Sequence, residues 1–249
     1  MSLNAKKIIK QFFEKYYWRQ HPEAALRYLP VVDELKKAKL VDSAILEIGS
    51  GSLGITPYLK KEIDGIDKDF SGPQTKLLKK IRGKADILPF KKNTYDVTIS
   101  VDVVEHLPND EREKAIFEQL RVTKKLAVIV IPLGSLSEKQ DSALQEHWQK
   151  IFKTHNQFLD EHVKNGLPQV DEILVWIDKS KRILNKDATV RSRPLLNLQV
   201  RNFLMKTWIS RNKYIYYLYL KGYLLLVPIL RLANFGNCYR RIFVIEFTS

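Results

Sequence analysis

The chain has 249 residues, 45% of them apolar, and a formal net charge of +14, so it can bury a substantial core and is not a disordered polyelectrolyte. Its one cysteine, Cys238, excludes an intrachain disulfide framework and any cysteine-rich zinc site, which makes a reducing compartment, the cytoplasm, the expected location. The excess of Lys and Arg calls for anionic surroundings or partners: a phosphorylated metabolite, a membrane headgroup or nucleic acid.

Residues 1–18, MSLNAKKIIKQFFEKYYW, are basic and aromatic but contain no continuous apolar run and no small-residue cleavage site, so no signal peptide is expected. Helices are predicted over residues 4–19 and 22–39, where Ile8, Ile9, Phe12, Phe13 and then Leu26, Leu29, Val32, Leu35 recur at helical spacing on either side of His21-Pro22. Residues 44–54, AILEIGSGSLG, then run from an apolar strand into Gly49, Gly51 and Gly54 at the spacing G-x-G-x-x-G. The first glycine permits a turn that a Cβ would block, the second lets the backbone approach a nucleotide, and the third lets the next helix pack on its strand. The same glycines would also serve a plain strand-to-helix turn.

A helix is predicted over residues 55–60 and a second strand over 62–67, EIDGID, ending on Asp67. A carboxylate at the tip of the second strand of a doubly wound sheet can accept hydrogen bonds from both ribose hydroxyls. A solvated turn acid is the plainer alternative, with Asp64 and Asp69 nearby. The segment ADILPF (85–90) reads as an edge loop, and YDVTISV (95–101) as a buried β-branched strand. The order so far is β, α, β, α, edge loop, β. An amphipathic helix over 110–122 with Ile116, Phe117 and Leu120 on one side leads to the apolar strand 126–131, stopped by Pro132. Alternating helices and near-continuous apolar strands predict a parallel sheet covered on both faces.

The ordered set ILEIGSGSLG, IDGID, ADILPF, YDVTISVDVVEHL and LRVTKKLAVIVIP resembles the class I S-adenosylmethionine-dependent methyltransferases of the small-molecule type, over about residues 40–133. The resemblance implies an α/β, Rossmann-like sheet, mostly parallel with the last strand antiparallel, helices on both faces, and S-adenosylmethionine as cofactor. It implies that Glu47, Gly49, Ser50, Gly51 and Gly54 hold the methionine end of the cofactor and that Asp67, with Lys68 beside it, takes the ribose. Asp86 would accept from the adenine amino group, Ile87 and Leu88 would flank the ring, and Val101 would line the pocket. A nicotinamide-binding Rossmann protein shares the glycines and the second-strand acid, but Glu47 and the ADILPF loop favour the methyltransferase.

Beyond Pro132 the reading is a single domain: an N-terminal helical cap (1–40), the cofactor-binding core (41–133), a helical substrate-side region (134–187), and final strands with a basic, aromatic helical insertion (188–249). A polar linker is expected over 134–139, helices over 141–153 and 157–164, and a helix over 170–183 capped near its start by Asp171. Their histidines, His147, His155 and His162, read as surface or packing residues. The resemblance places a weak penultimate strand at 188–191 and the last strand at 239–247, with an insertion of broken helices between them, interrupted near Gly222 and Pro228.

Asp102, Glu105 and His106 stand at i, i+3 and i+4, which on a helix would put two carboxylates and an imidazole on one face. Such a trio could bind a divalent cation, and some quinone-precursor O-methyltransferases resemble it there. A structural role closing the loop above the cofactor is the expectation, with no metal, and His106 is the candidate catalytic base. No asparagine-proline-proline-aromatic tetrapeptide follows the fourth strand, which argues against methylation of adenine N6 or glutamine.

The function expected is methyl transfer to a small or lipid-linked acceptor, on oxygen. The alternatives are an RNA- or protein-binding module on the same fold, or an RNA methyltransferase, motivated by charge alone; nucleic acid is the less favoured partner. From residue 201 onward, Arg201, Lys206, Arg211, Lys213, Lys221, Arg231, Arg240 and Arg241 face only Glu246. Tyrosines and leucines are interleaved with these bases, as in helices that lie on anionic membranes. Two expectations stand side by side: peripheral contact with the inner membrane face, or an insertion whose aromatics simply pack over the sheet edge and acceptor pocket.

Overall fold

The apolar runs of the sequence lie side by side in one sheet. In a computed structural model, which describes residues 3–248, the strands are β1 (Ile45–Ile48), β2 (Ile63–Asp67), β3 (Leu78–Arg82), β4 (Tyr95–Val101), β5 (Thr123–Pro132), β6 (Ala188–Asn197) and β7 (Cys238–Phe247). They are ordered β3-β2-β1-β4-β5-β7-β6. β1 to β5 are mutually parallel. β7 runs antiparallel between β5 and β6, as the resemblance implied.

The period of two along β4 builds both faces. Val97, Ile99 and Val101 point toward Tyr28, Val31 and Leu35 of α2 (Pro22–Lys37), within one buried cluster. Thr98 and Ser100 point the other way, where Thr123 Oγ1 stands 2.6 Å from Thr98 Oγ1 and Ser100 donates to Gln119 Oε1 at 2.8 Å. On that second face Ile116 and Leu120 of α4 (Asn109–Val122) and Ile173 and Ile177 of α7 (Val170–Leu184) pack on Ile129, Ile131 and Phe243. Every hydroxyl carried into the core by the alternation is thus hydrogen-bonded.

Several expected elements are revised. The helix placed after β1 is a single turn, α3 (Thr56–Leu59), stopped by Lys60 in the left-handed region at φ 56°. No helix follows β2: Ser71-Gly72-Pro73 breaks the chain, and Leu78–Arg82 pairs with β2 as an edge strand whose lysines discourage further pairing. The linker expected at 134–139 is the first turn of α5 (Ser135–Phe152). The next helix is α6 (Gln157–Asn165), and α7 is capped by Gln169, whose N–H donates to the Glu172 carboxylate at 2.7 Å, rather than by Asp171. The penultimate strand is ten residues long and carries Pro194, tolerated on an edge strand.

The insertion between the last two strands folds as α8 (Leu198–Trp208), α9 (Lys213–Tyr217), a π-helical turn (Leu218–Gly222) and α10 (Tyr223–Leu230). Gly222 and Pro228 do not break it, because the wide turn absorbs an extra residue and Pro228 lies within α10. Tyr219, Leu224 and Val227 pack against Phe13 of α1 (Leu3–Tyr16) and Ala25 and Leu26 of α2. The N-terminal helices and the insertion therefore form one layer over the sheet.

One ionic clamp fixes that layer to the sheet. Asp102, just past β4 with φ 53°, accepts from Arg27 Nη1 of α2 at 2.6 Å and from Arg240 of β7 through Nε at 2.7 Å and Nη2 at 2.6 Å. Glu23 Oε1 meets Arg240 Nη2 at 2.5 Å, so the buried charges alternate. Burial alone would raise the Asp102 pKa, but Arg240 and Arg27 hold it well below the usual carboxylate range. Replacing Asp102 with alanine leaves two guanidinium groups without their shared partner. Urea denaturation should show a loss of about 3–5 kcal/mol, and a loss under about 1 kcal/mol would mean the clamp is effectively solvated.

Candidate functional site

A cleft of about 770 Å³ opens at the carboxyl ends of β1, β2 and β4, where the strand order reverses. Open α/β sheets bind ligands at such a switch point. The stretches Gly49-Ser50-Gly51-Ser52, Asp67-Lys68-Asp69 and Val101-Asp102-Val103 line it. Helix α2 closes it with Glu23, Arg27 and Tyr28, α6 with Phe158 and Glu161, and the insertion with Met205, Trp208 and Tyr219.

The three glycines of the loop have φ of 69°, 53° and 53°, a region costly to other residues. Their surroundings differ. A Cβ on Gly49 would strike Val103, and one on Gly54 would strike the Glu47 carboxylate, so the third glycine makes room for an acid and not for helix packing. A Cβ on Gly51 would meet nothing within 4 Å. Gly51 is therefore the bare backbone at the cleft, and its N–H donates to Asp67 Oδ2 at 2.7 Å.

Glu47 is fully buried behind this loop and does not line the cleft. Its Oε2 accepts from Ile55 N–H at 2.7 Å, bracing the loop. Burial pushes its pKa up to about 7, offset in part by that N–H. Asp67 and Lys68 line the cleft as expected, as do Ser50 and Val101. In the ADILPF segment the lining residue is Ala85, with Gly83 before it. Ile87 is 69% exposed, and Leu88 sits in the core with Leu46, Ile48 and Ile66. Asp86 keeps one buried oxygen, Oδ1, without a hydrogen-bond partner. Asp86 does not line the cleft; an open cradle at Gly51 and an acid at the tip of β2 fit the glycine and ribose contacts of S-adenosylmethionine.

The far end of the cleft carries the polar groups that the sequence reading did not assemble. The segment after β4 forms only a 3-10 turn (Val104–His106), and Asp102 is engaged in the clamp, so Asp102, Glu105 and His106 do not share a helical face. His106 Nδ1 instead stands 2.7 Å from Glu161 Oε2. Its ring lies 4.7 Å from that of His162, whose Nδ1 is 2.8 Å from Asp141 Oδ2. Asp141 also meets Arg201 Nη2 at 2.7 Å and accepts from Tyr239 OH at 2.8 Å. His162 is thus a buried member of the site, whereas His155 is an exposed partner of Asp160. Arg27 and Arg240 had a sequence signal, as charges within apolar helix and strand patterns; Glu161 and His162 had none beyond their spacing.

Two outcomes test the cofactor side. Asp67→Ala should weaken binding of S-adenosylhomocysteine by about 1–3 kcal/mol in isothermal titration, and unchanged affinity would remove β2 from the site. Glu47 has an ordinary pKa of 4.5 and a folded one of about 7, so its contribution to stability is complete below pH 4.5 and is lost as pH rises through about 7. Glu47→Gln removes that titration. The stability of wild type minus variant should fall by up to about 3 kcal/mol across this window, at about 1.4 kcal/mol per pKa unit, and a flat difference would mean Glu47 is solvated.

Residues 46–131 match the family model described as a methyltransferase domain. A crystal structure of a SAM-dependent methyltransferase from Thermotoga maritima, described as a possible histamine N-methyltransferase, is similar at 18% identity and TM-score 0.52, over 96% of this chain and 99% of that one. The methyltransferase domain of bacterial CtHen1-C is similar at 14% identity and TM-score 0.53, over 91% of this chain and 100% of that one. At such identities the likeness is one of fold. No curated protein matches the chain. The matched segment runs from β1 to β5 and carries Gly49, Gly51, Asp67 and Val101, which floor the cleft: the chain contains a methyltransferase domain, and S-adenosylmethionine is the cofactor that this domain implies.

Proposed function

We propose that the enzyme methylates a hydroxyl oxygen of a small or lipid-linked, partly apolar acceptor. The observation that carries this reading is the His106–Glu161 pair at 2.7 Å in a cleft whose neighbouring walls are Phe158, Met205 and Trp208. Methyl transfer from a sulfonium is an in-line displacement, so the chain's main task is to hold the acceptor atom in place and exclude water. A hydroxyl acceptor must also lose its proton, and a positioned polar group at the reacting end speeds that loss. The pair supplies one such group among apolar side chains. With the cofactor labelled on its methyl group, mass spectrometry of products from hydroxylated and amino acceptors should reveal O-methyl ethers. Transfer to nitrogen or to RNA alone would overturn the reading.

The outer face of the insertion supports an acceptor reached from a membrane. Tyr214, Leu218, Leu225 and Ile229 along α9 to α10, and Leu232 in the turn after it, are about half exposed or more. No acid occurs between residues 188 and 245, whereas Lys213, Lys221 and Arg231 accompany these side chains. Among the described residues no helix is long and apolar enough to cross a bilayer, so this face would lie on a headgroup surface, apolar side chains inward and cations on phosphates. The protein should sediment with anionic vesicles at low salt and be released as salt screens the charges; absence from the pellet at every lipid composition would make the insertion a cover for a soluble acceptor.

A further inference from the structure

We propose that Glu105, His106 and His162 hold a divalent first-row cation at the acceptor end of the cleft, and this rests on the hydroxyl-acceptor reading for its chemistry. One ligand atom from each of the three lies within 4.8 Å of the others. Glu105 is fully buried, and neither of its carboxylate oxygens has a hydrogen-bond partner. A carboxylate in that position is costly unless a cation answers it. The nearest basic group is His106 Nε2, 3.9 Å from Glu105 Oε1. Arg27 and Arg240 are spent on Asp102 and Glu23, and Arg112 Nη2 donates to the Glu105 backbone carbonyl, not to its side chain.

Both imidazoles are oriented as metal ligands are. The Nδ1 of His106 is held by Glu161 Oε2 and that of His162 by Asp141 Oδ2, at 2.7 and 2.8 Å. A carboxylate on one ring nitrogen fixes the tautomer and ring direction and raises the basicity of the other nitrogen. The other nitrogen of His162, Nε2, is buried and has no partner. Two imidazoles and one carboxylate suit manganese, iron, cobalt or zinc better than calcium or magnesium. Ligands about 2.1 Å from one ion stand roughly 3–4 Å apart, so small rotations close the set. Three protein ligands leave positions open, and His106 and His162 line the cleft, so an acceptor hydroxyl can join the ion there. The bound hydroxyl would give up its proton more readily because the cation stabilises the oxyanion. His106 then serves as a ligand, which revises the expectation that it is the base and that the site is metal-free.

The test uses untagged full-length protein dialysed against EDTA and titrated with cobalt(II), read by its visible d–d absorption. Wild type should take up a single equivalent. Glu105→Gln and His162→Gln should weaken uptake at least about tenfold, and Glu161→Gln, which only orients His106, by about 10–100-fold. Each variant should still bind S-adenosylhomocysteine as wild type does, which shows that it is folded. No uptake by wild type, or equal uptake by Glu105→Gln and His162→Gln, overturns the site. Labelled methyl transfer separates the two readings. Cobalt uptake with no hydroxyl methylated sinks the acceptor reading and keeps the site, whereas full hydroxyl methylation in EDTA with no uptake sinks the site and returns His106 to the role of base.

Discussion

The buried contact of Asp102 with Arg27 and Arg240 is the constraint on which the architecture of the cleft depends. It joins the N-terminal helical cap, the tip of the central strand and the last strand to enter the sheet, three parts of the chain distant in sequence. A buried charge tolerates little displacement of its partners, since each ångström lost exposes a desolvated ion. Asp102 pays for this position with a left-handed backbone, which turns the chain sharply after β4 and sends Val104–His106 across the cleft mouth. Glu105 and His106 are consequently placed by an ion pair in which they take no part.

On the cofactor side the same logic operates on a smaller scale. Glu47 is buried to support the glycine loop through Ile55 N–H, and Gly54 exists to make room for it. Asp67 reaches the loop from the next strand and accepts from Gly51 N–H. The loop is thus held from behind by one carboxylate and from the side by another, with bare backbone toward the cleft. A loop whose N–H groups are already satisfied within the protein keeps its shape without a ligand, and a rigid wall of this kind orients what binds against it.

The far end of the cleft joins His106, from within the matched segment, to elements that lie beyond it. α6 contributes Glu161 and His162, α5 contributes Asp141, and the insertion contributes Arg201, Met205 and Trp208. The family model ends at residue 131 and does not reach the residues of α5, α6 and the insertion. The insertion has two faces: Tyr219, Leu224 and Val227 bury against the cap, and the side chains between them remain outside. One helix layer therefore closes the cleft and offers an apolar, basic exterior.

Local patterns determined the sheet core: alternation placed β4 and β5, the glycine spacing placed the loop after β1, and Asp67 was legible as an acid at a strand tip. These depend on interactions within a few residues, and sequence carries them directly. Four things were decided only in three dimensions. Glu47 and Leu88 face inward because the packing around β1 and the edge loop claims them before a ligand can. The stretch after β2 became a strand because β2 offered an unpaired edge and Ser71-Gly72-Pro73 forbade a continuous helix. Asp102 left the helical trio because two distant arginines bind it more strongly than a turn could use it. Glu105, His106 and His162 met because α6 packs against the turn that follows β4, and groups more than fifty residues apart share a site only when the chain has closed around them.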